Sequence, residues 1–247
     1  MKSYYIFHEN EISWAVFTSA QEASDETATK GLAIMFSEVR RIFIDLFQEA
    51  EINSHEILTV LPAFNDQMTI REHNLIVISS NNEYPPQAIH QFSHELCHFI
   101  VPEKVCETYR WFEETLCQAM SWYVLLKVLE HGKENPIEQL SGYYDRMEWY
   151  VAECQANRLS IGEKPISLYI SDHIAHLKED CYDRRMNAAI AYELFPILQE
   201  FPDLWKIVPY LHTLTDEMPL SDALDHVLLL AGVVESGGNQ LKKILVE

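Results

Sequence analysis

Apolar residues along this 247-residue chain follow two different periods, and the change from one to the other divides it in half. Near the start, Tyr4-Tyr5-Ile6-Phe7 and Ile12-Ser13-Trp14-Ala15-Val16-Phe17 mix aromatic and β-branched residues in short alternation, the signature of one or two strands and plausibly a hairpin. From Ser24 to Glu51 the period lengthens. Leu32, Met35, Phe36, Val39, Ile42, Phe43, Leu46 and Phe47 recur every three or four positions and predict a long amphipathic helix that packs its stripe on a sheet. Strand patterns return at Ile57-Leu58-Thr59-Val60-Leu61 and at Asn74-Leu75-Ile76-Val77-Ile78-Ser79, the latter closed by Ser80-Asn81-Asn82.

Pro85 and Pro86 suit the first turn of a helix that runs through Ile89, Phe92, Leu96 and Ile100 and stops before Pro102. Beyond it the pattern is helical, over about 107–131, 136–158, 166–198, 203–213 and 219–246, with Gly132, Pro136, Gly162, Pro165, Pro202 and Gly237-Gly238 as punctuation. The expectation is an α+β protein: a small amino-terminal sheet with a long helix, then a mostly helical carboxy-terminal half. No internal repeat or low-complexity linker interrupts it, so residues 1–247 are expected to form one domain. Its sheet-bearing lobe would span about 1–101 and its helical lobe about 102–247, with the active-site cleft between them.

Composition narrows the range of functions. With 48% hydrophobic residues the chain can bury a substantial core. Its 38 acidic and 18 basic side chains give a formal charge of -20, which disfavours nucleic acid and anionic membrane surfaces as partners. No basic stretch followed by an apolar run opens the sequence, and Val227 to Val234, the longest purely apolar run, is far shorter than a membrane span of about 20 residues. A cytoplasmic location is expected. Five cysteines without C-x-x-C spacing suit reduced thiols better than disulfides or a cysteine-ligated metal.

The chemistry concentrates in His94-Glu95-Leu96-Cys97-His98, an H-E-x-x-H motif on the predicted 85–100 helix. Side chains four apart on a helix lie one turn above each other, so His94 and His98 can offer two imidazoles to one metal ion with Glu95 beside them. A third ligand is available in the following segment Trp111-Phe112-Glu113-Glu114-Thr115-Leu116. Glu114 lies on one helical stripe with Gln118 and Ser121, among Trp111, Phe112, Leu116, Met120 and Val124. A carboxylate in such surroundings costs several kcal/mol unless a cation meets it. An ion pair with Arg110, one turn earlier, is the simpler explanation of Glu114, but it leaves the two histidines unexplained.

These residues resemble the gluzincin metallopeptidases, whose H-E-x-x-H supplies two zinc ligands and the general base and whose next helix supplies a glutamate. Trp111-Phe112-Glu113-Glu114 looks like the W-x-x-E segment of the gluzincin aminopeptidases, which places the ligand on Glu114 rather than Glu113. Glu114-Thr115-Leu116-Cys117-Gln118-Ala119 is similar to the E-x-x-A-N stretch of the ImmA/IrrE-like peptidases, with Cys117 and Gln118 where that family has Ala and Asn. The likeness covers residues 70–126. It implies a zincin-like fold, a Zn2+ ion held by His94, His98 and Glu114, and hydrolysis of a peptide or small protein. The G-x-M-x-N segment that binds the substrate amine in the aminopeptidases does not precede residue 94, so no aminopeptidase specificity is implied. The strand at 74–79 is a candidate for the edge along which gluzincins lay an extended peptide.

In that chemistry Glu95 is the general base, and a tetrahedral oxyanion needs a second donor, usually Tyr or His by resemblance. Tyr143, Tyr144, Tyr150, Tyr169, His173, His176 and Tyr182 are available. Tyr182, within the polar run Asp180-Cys181-Tyr182-Asp183-Arg184-Arg185, is the first choice and His173 the second. Arg184 and Arg185 suit a solvated helix face better than a substrate carboxylate, and Cys97 suits a small buried hydrophobe. The alternative function is a non-catalytic zincin-like module that holds zinc for structure or recognises a partner protein.

Overall fold

A computed structural model describes residues 4–9, 12–17, 26–47, 57–62, 67–80, 84–233, 235 and 237–246. Five strands form one mixed sheet: β1 (Tyr4–Glu9), β2 (Ile12–Phe17), β3 (Ile57–Pro62), β4 (Met68–Ile70) and β5 (Leu75–Ile78), in the spatial order β1-β2-β3-β5-β4. The two amino-terminal strands pair antiparallel, Tyr4 against Phe17 through Glu9 against Ile12, as the alternation predicts for a hairpin. β2, β3 and β5 run parallel to their neighbours, and β4 folds back antiparallel on β5 with Thr69 opposite Ile76. The protein is therefore α+β, with helix predominating.

The strand at 75–78 is not an edge. β3 pairs with one side of it and β4 with the other, so its backbone groups already serve two ladders. Among the described residues the sheet ends on this side at β4, whose three residues are too few for a period to show in the sequence.

Long helix α1 (Glu26–Phe47) matches the amphipathic stripe; the expected flanks at 24–25 and 48–51 lie outside the described residues, as do Asn81 and Asn82. Met35, Phe36, Val39, Ile42, Phe43 and Phe47 are buried, spaced as a helix requires. α2 (Pro85–Phe99) begins on its two prolines, which have no N–H to lose at a helix start. Its buried Phe92 ring meets Phe36 of α1 at 4.1 Å between centroids, and α2 also packs on β4 and β5.

The remaining helices are α3 (Arg110–Glu134), α4 (Tyr144–Ala156), α5 (Ile166–Glu179), α6 (Arg184–Glu200), α7 (Leu220–Ala231) and α8 (Gly237–Val246). Contacts group the chain into two compact units, Met1–Phe99 with Met120–Ala152, and Ile100–Ala119 with Glu153–Glu247. In the first, the sheet, α1 and α2 build a core around Phe36, Phe43, Ile76, Ile78 and Phe92; in the second, Trp111, Phe112, Ile190, Leu194, Trp205, Val208 and Leu224 are buried.

Four expected helices are broken or altered: the one expected at 136–158 begins as a separate 3-10 turn, Glu138–Leu140, and is α-helical only over Tyr144–Ala156, and the other three change for local reasons. Residues 166–198 form two helices because Asp183 caps the second, its carboxylate accepting from the N–H groups of Arg185 at 3.2 Å and Met186 at 3.1 Å. Residues 219–246 divide at Gly232, whose φ of 69° is a left-handed helix cap that side chains resist. Pro202–Thr213 winds as a 3-10 helix, and Pro209 within it has no N–H to give the α-helical bond.

The Asp183 carboxyl is pushed up by burial, but hydrogen bonds from His176 and the two backbone N–H groups outweigh this and hold it below the usual carboxylate range. Its capping stability is therefore fully present above the ordinary carboxylate pKa and is lost as pH falls through the lowered one. Asp183→Ala is expected to cost about 1 kcal/mol at neutral pH. In urea titrations the deficit should shrink as the buffer is brought below the carboxylate range.

Candidate metal centre

The histidine helix is held in place from three directions. Inward, Ile89, Phe92, Leu96, Cys97 and Phe99 are buried, and Cys97 behaves as the small hydrophobe its apolar surroundings require. At its first turns, the Gln91 amide oxygen accepts from the backbone N–H of Ser79 at 3.0 Å and Ser80 at 2.8 Å, while its nitrogen donates to Ser79 Oγ at 2.7 Å. One side chain thus satisfies the backbone where β5 ends. At the last turn, Arg71 Nη2 donates to the carbonyl of His98 at 2.6 Å and so serves a terminal carbonyl that the helix itself leaves over.

His94 and His98 lie one turn apart, ring centroids 5.0 Å from each other and planes at 68°. One ligand atom from each of His94, His98 and Glu114 forms a group in which all lie within 4.8 Å of one another. Glu113 is not a member of that group, although it is the more buried of the two glutamates. Arg110, the alternative partner of Glu114, has Nη2 3.0 Å from Glu107 Oε1. Two imidazoles, borderline nitrogen donors, and a carboxylate, a hard oxygen donor, can hold zinc or another divalent first-row ion and, in a four-coordinate ion, leave one position open.

The turn before α3 is anchored at both of its polar ends. Asp216 Oδ1 accepts from the Thr108 N–H at 2.9 Å, and the Tyr109 hydroxyl donates to the Met218 carbonyl at 2.6 Å. Burial pushes the Tyr109 phenol up to about 12, with smaller contributions from Cys106 and Asp222, so this hydroxyl stays a donor across the physiological range. Within the helix, Trp111, Phe112, Leu116 and Cys117 are buried, and Thr115 Oγ1 donates to the Trp111 carbonyl at 2.8 Å.

Glu95 is 4% exposed. Its Oε2 lies 2.9 Å and its main-chain oxygen 2.8 Å from Thr69 Oγ1 on β4. Neither Thr69 nor Arg71 stands out in the sequence, because their roles are set by β4 folding back beside α2. A threonine followed by a β-branched residue is the only local sign of a strand there.

Tyr182 occupies the turn between α5 and α6 and is 63% exposed. Its neighbour Cys181 is buried, and the Asn187 amide donates to the Cys181 carbonyl at 2.7 Å. Burial pushes the Cys181 thiol up, and the negative charge of Glu114 adds to it. His173, the second choice, stacks on Tyr169 with centroids 4.4 Å apart, and its Nδ1 lies 2.8 Å from the Tyr169 carbonyl. Arg184 and Arg185 are exposed.

His176, Asp180 and Asp183 also bring ligand atoms within 4.8 Å of one another, but His176 and Asp180 are exposed and Asp183 already caps α6 and meets His176 Nε2 at 3.1 Å. Among the described residues no helix is long and apolar enough to cross a membrane. No protein-family model matches the chain, and no curated protein matches it.

Gln91→Ala would leave two backbone N–H groups at the end of β5 without their acceptor, at about 1–3 kcal/mol each. A loss of stability of about 2–6 kcal/mol is expected in chemical denaturation, whereas Gln91→Glu, which keeps the acceptor, should lose clearly less.

Proposed function

We propose that this protein is a zinc-dependent peptidase of gluzincin type with a zincin-like fold, in which His94, His98 and Glu114 hold the metal and Glu95 is the general base. The observation that carries this reading is the approach of the three ligand atoms to within 4.8 Å, with the buried Glu95 next in sequence to one of them. A bound zinc ion supplies Lewis acidity and lowers the pKa of water toward neutrality.

The protein's own part is proton transfer and orientation. The Glu95 carboxylate takes the proton of a water that attacks the peptide carbonyl, and returns it to the amine nitrogen as the C–N bond breaks. Tyr182 is the proposed donor to the oxyanion, a role that rests on the resemblance. The outer edge of β4 offers backbone groups on which an extended peptide substrate can add as a further strand.

Purified protein should carry zinc at one ion per chain by elemental analysis, and His94→Ala and Glu114→Ala should each abolish it. Glu113→Gln should keep the ion. Against a quenched-fluorescence peptide library, Glu95→Gln is expected to retain zinc and lose about 10²- to 10⁴-fold in turnover. Full zinc with no turnover in the wild type would instead favour the non-catalytic module.

A further inference from the structure

We infer that Thr69 is a positioning residue for the general base, fixing the Glu95 carboxylate so that one of its oxygens is reserved and the other is left to accept the proton of water. The inference rests on the peptidase reading and goes beyond it, since Thr69 belongs neither to the H-E-x-x-H motif nor to the metal ligands.

A carboxylate that is 4% exposed has lost most of its hydration, and a hydrogen bond to the charged group is the means of recovering part of that cost. Thr69 Oγ1 stands 2.9 Å from Glu95 Oε2, an ordinary donor distance for a hydroxyl facing a carboxylate. The same hydroxyl is 2.8 Å from the main-chain oxygen of Glu95, so its single proton is shared between, or alternates between, two acceptors on one residue. Both contacts bind the same side chain to the same point on the strand. Glu95 is thereby restrained at its backbone and at its carboxylate.

The restraint is only as firm as the strand that supplies it. β4 is paired to β5, where Thr69 lies opposite the fully buried Ile76, and two residues further on Arg71 donates to the His98 carbonyl at 2.6 Å. Thr69 and Arg71 thus grip α2 at Glu95 and His98, one at the base and the other at a metal ligand. If Thr69 served only to dock the strand, the bond to the main-chain oxygen would suffice and the carboxylate would be free to rotate.

The discriminating probe is acetohydroxamic acid, which chelates zinc and whose proton-bearing group needs a carboxylate acceptor close to the metal. Zinc-loaded wild type, Thr69→Val, Thr69→Ser, Glu95→Gln and the Val/Gln double variant are compared by calorimetry, with zinc content and Tm measured alongside. Thr69→Val should keep its zinc and bind the hydroxamate about tenfold more weakly, the scale of one hydrogen bond to a charged group. Thr69→Ser should restore binding, and Thr69→Val added to Glu95→Gln should have no further effect. Should Thr69→Val fail to fold, Thr69→Ala removes the same hydroxyl and is read in the same way.

Wild-type affinity in Thr69→Val, with weakened binding in Glu95→Gln, would overturn the positioning role and leave the base assignment standing. Wild-type affinity in Glu95→Gln would overturn the base assignment itself. A zinc-loaded wild type that does not bind the hydroxamate would overturn both.

Discussion

His94, His98 and Glu114 bring a carboxylate and two imidazoles to within 4.8 Å of one another, and in the proposed reading a single cation meets all three. The two helices that carry them are tied to their surroundings at several points. α2 is fixed inward by Phe92 against Phe36, at its start by Gln91 on the end of β5, and at its end by Arg71. α3 is fixed ahead of Glu114 by Thr108 and Tyr109, each bonded to the 215–219 loop. The Gln91, Arg71 and Tyr109 anchors each satisfy a buried or part-buried polar group, so support of the helices and hydrogen-bond satisfaction are obtained together there.

Much of this was visible in the chain itself. The long helix and four of the strands follow from hydrophobic period, because each buries one face and repeats often enough for the period to register. The start of α2 follows from Pro85 and Pro86, and the pairing of His94 with His98 from the i,i+4 geometry of any helix. The membership of Glu114 rather than Glu113 in the ligand group was legible only through the W-x-x-E resemblance and the polar stripe of Gln118 and Ser121. Burial alone points to Glu113, the less exposed of the pair, which is not in that group.

What was not legible depends on a single residue or on partners remote in sequence. The break at Asp183 is made by one carboxylate choosing a capping role, and the break at Gly232 by one backbone angle; neither disturbs the hydrophobic pattern on which the continuous helices were predicted. β4 has three residues, too few for alternation, and its presence turned the expected edge strand at 75–78 into an interior one. Thr69 and Arg71 were hidden for the same reason. Their acceptors on Glu95 and His98 are 26 and 27 positions away, and only the folding back of β4 brings them together.

The most direct test of the central claim is anomalous X-ray scattering from crystals of the protein purified without added metal, recorded on both sides of the zinc absorption edge. The account predicts one strong peak per chain, bounded by the side chains of His94, His98 and Glu114 and present only above the edge. A peak elsewhere in the chain, or zinc-edge signal absent from that position in crystals grown with zinc, would contradict it.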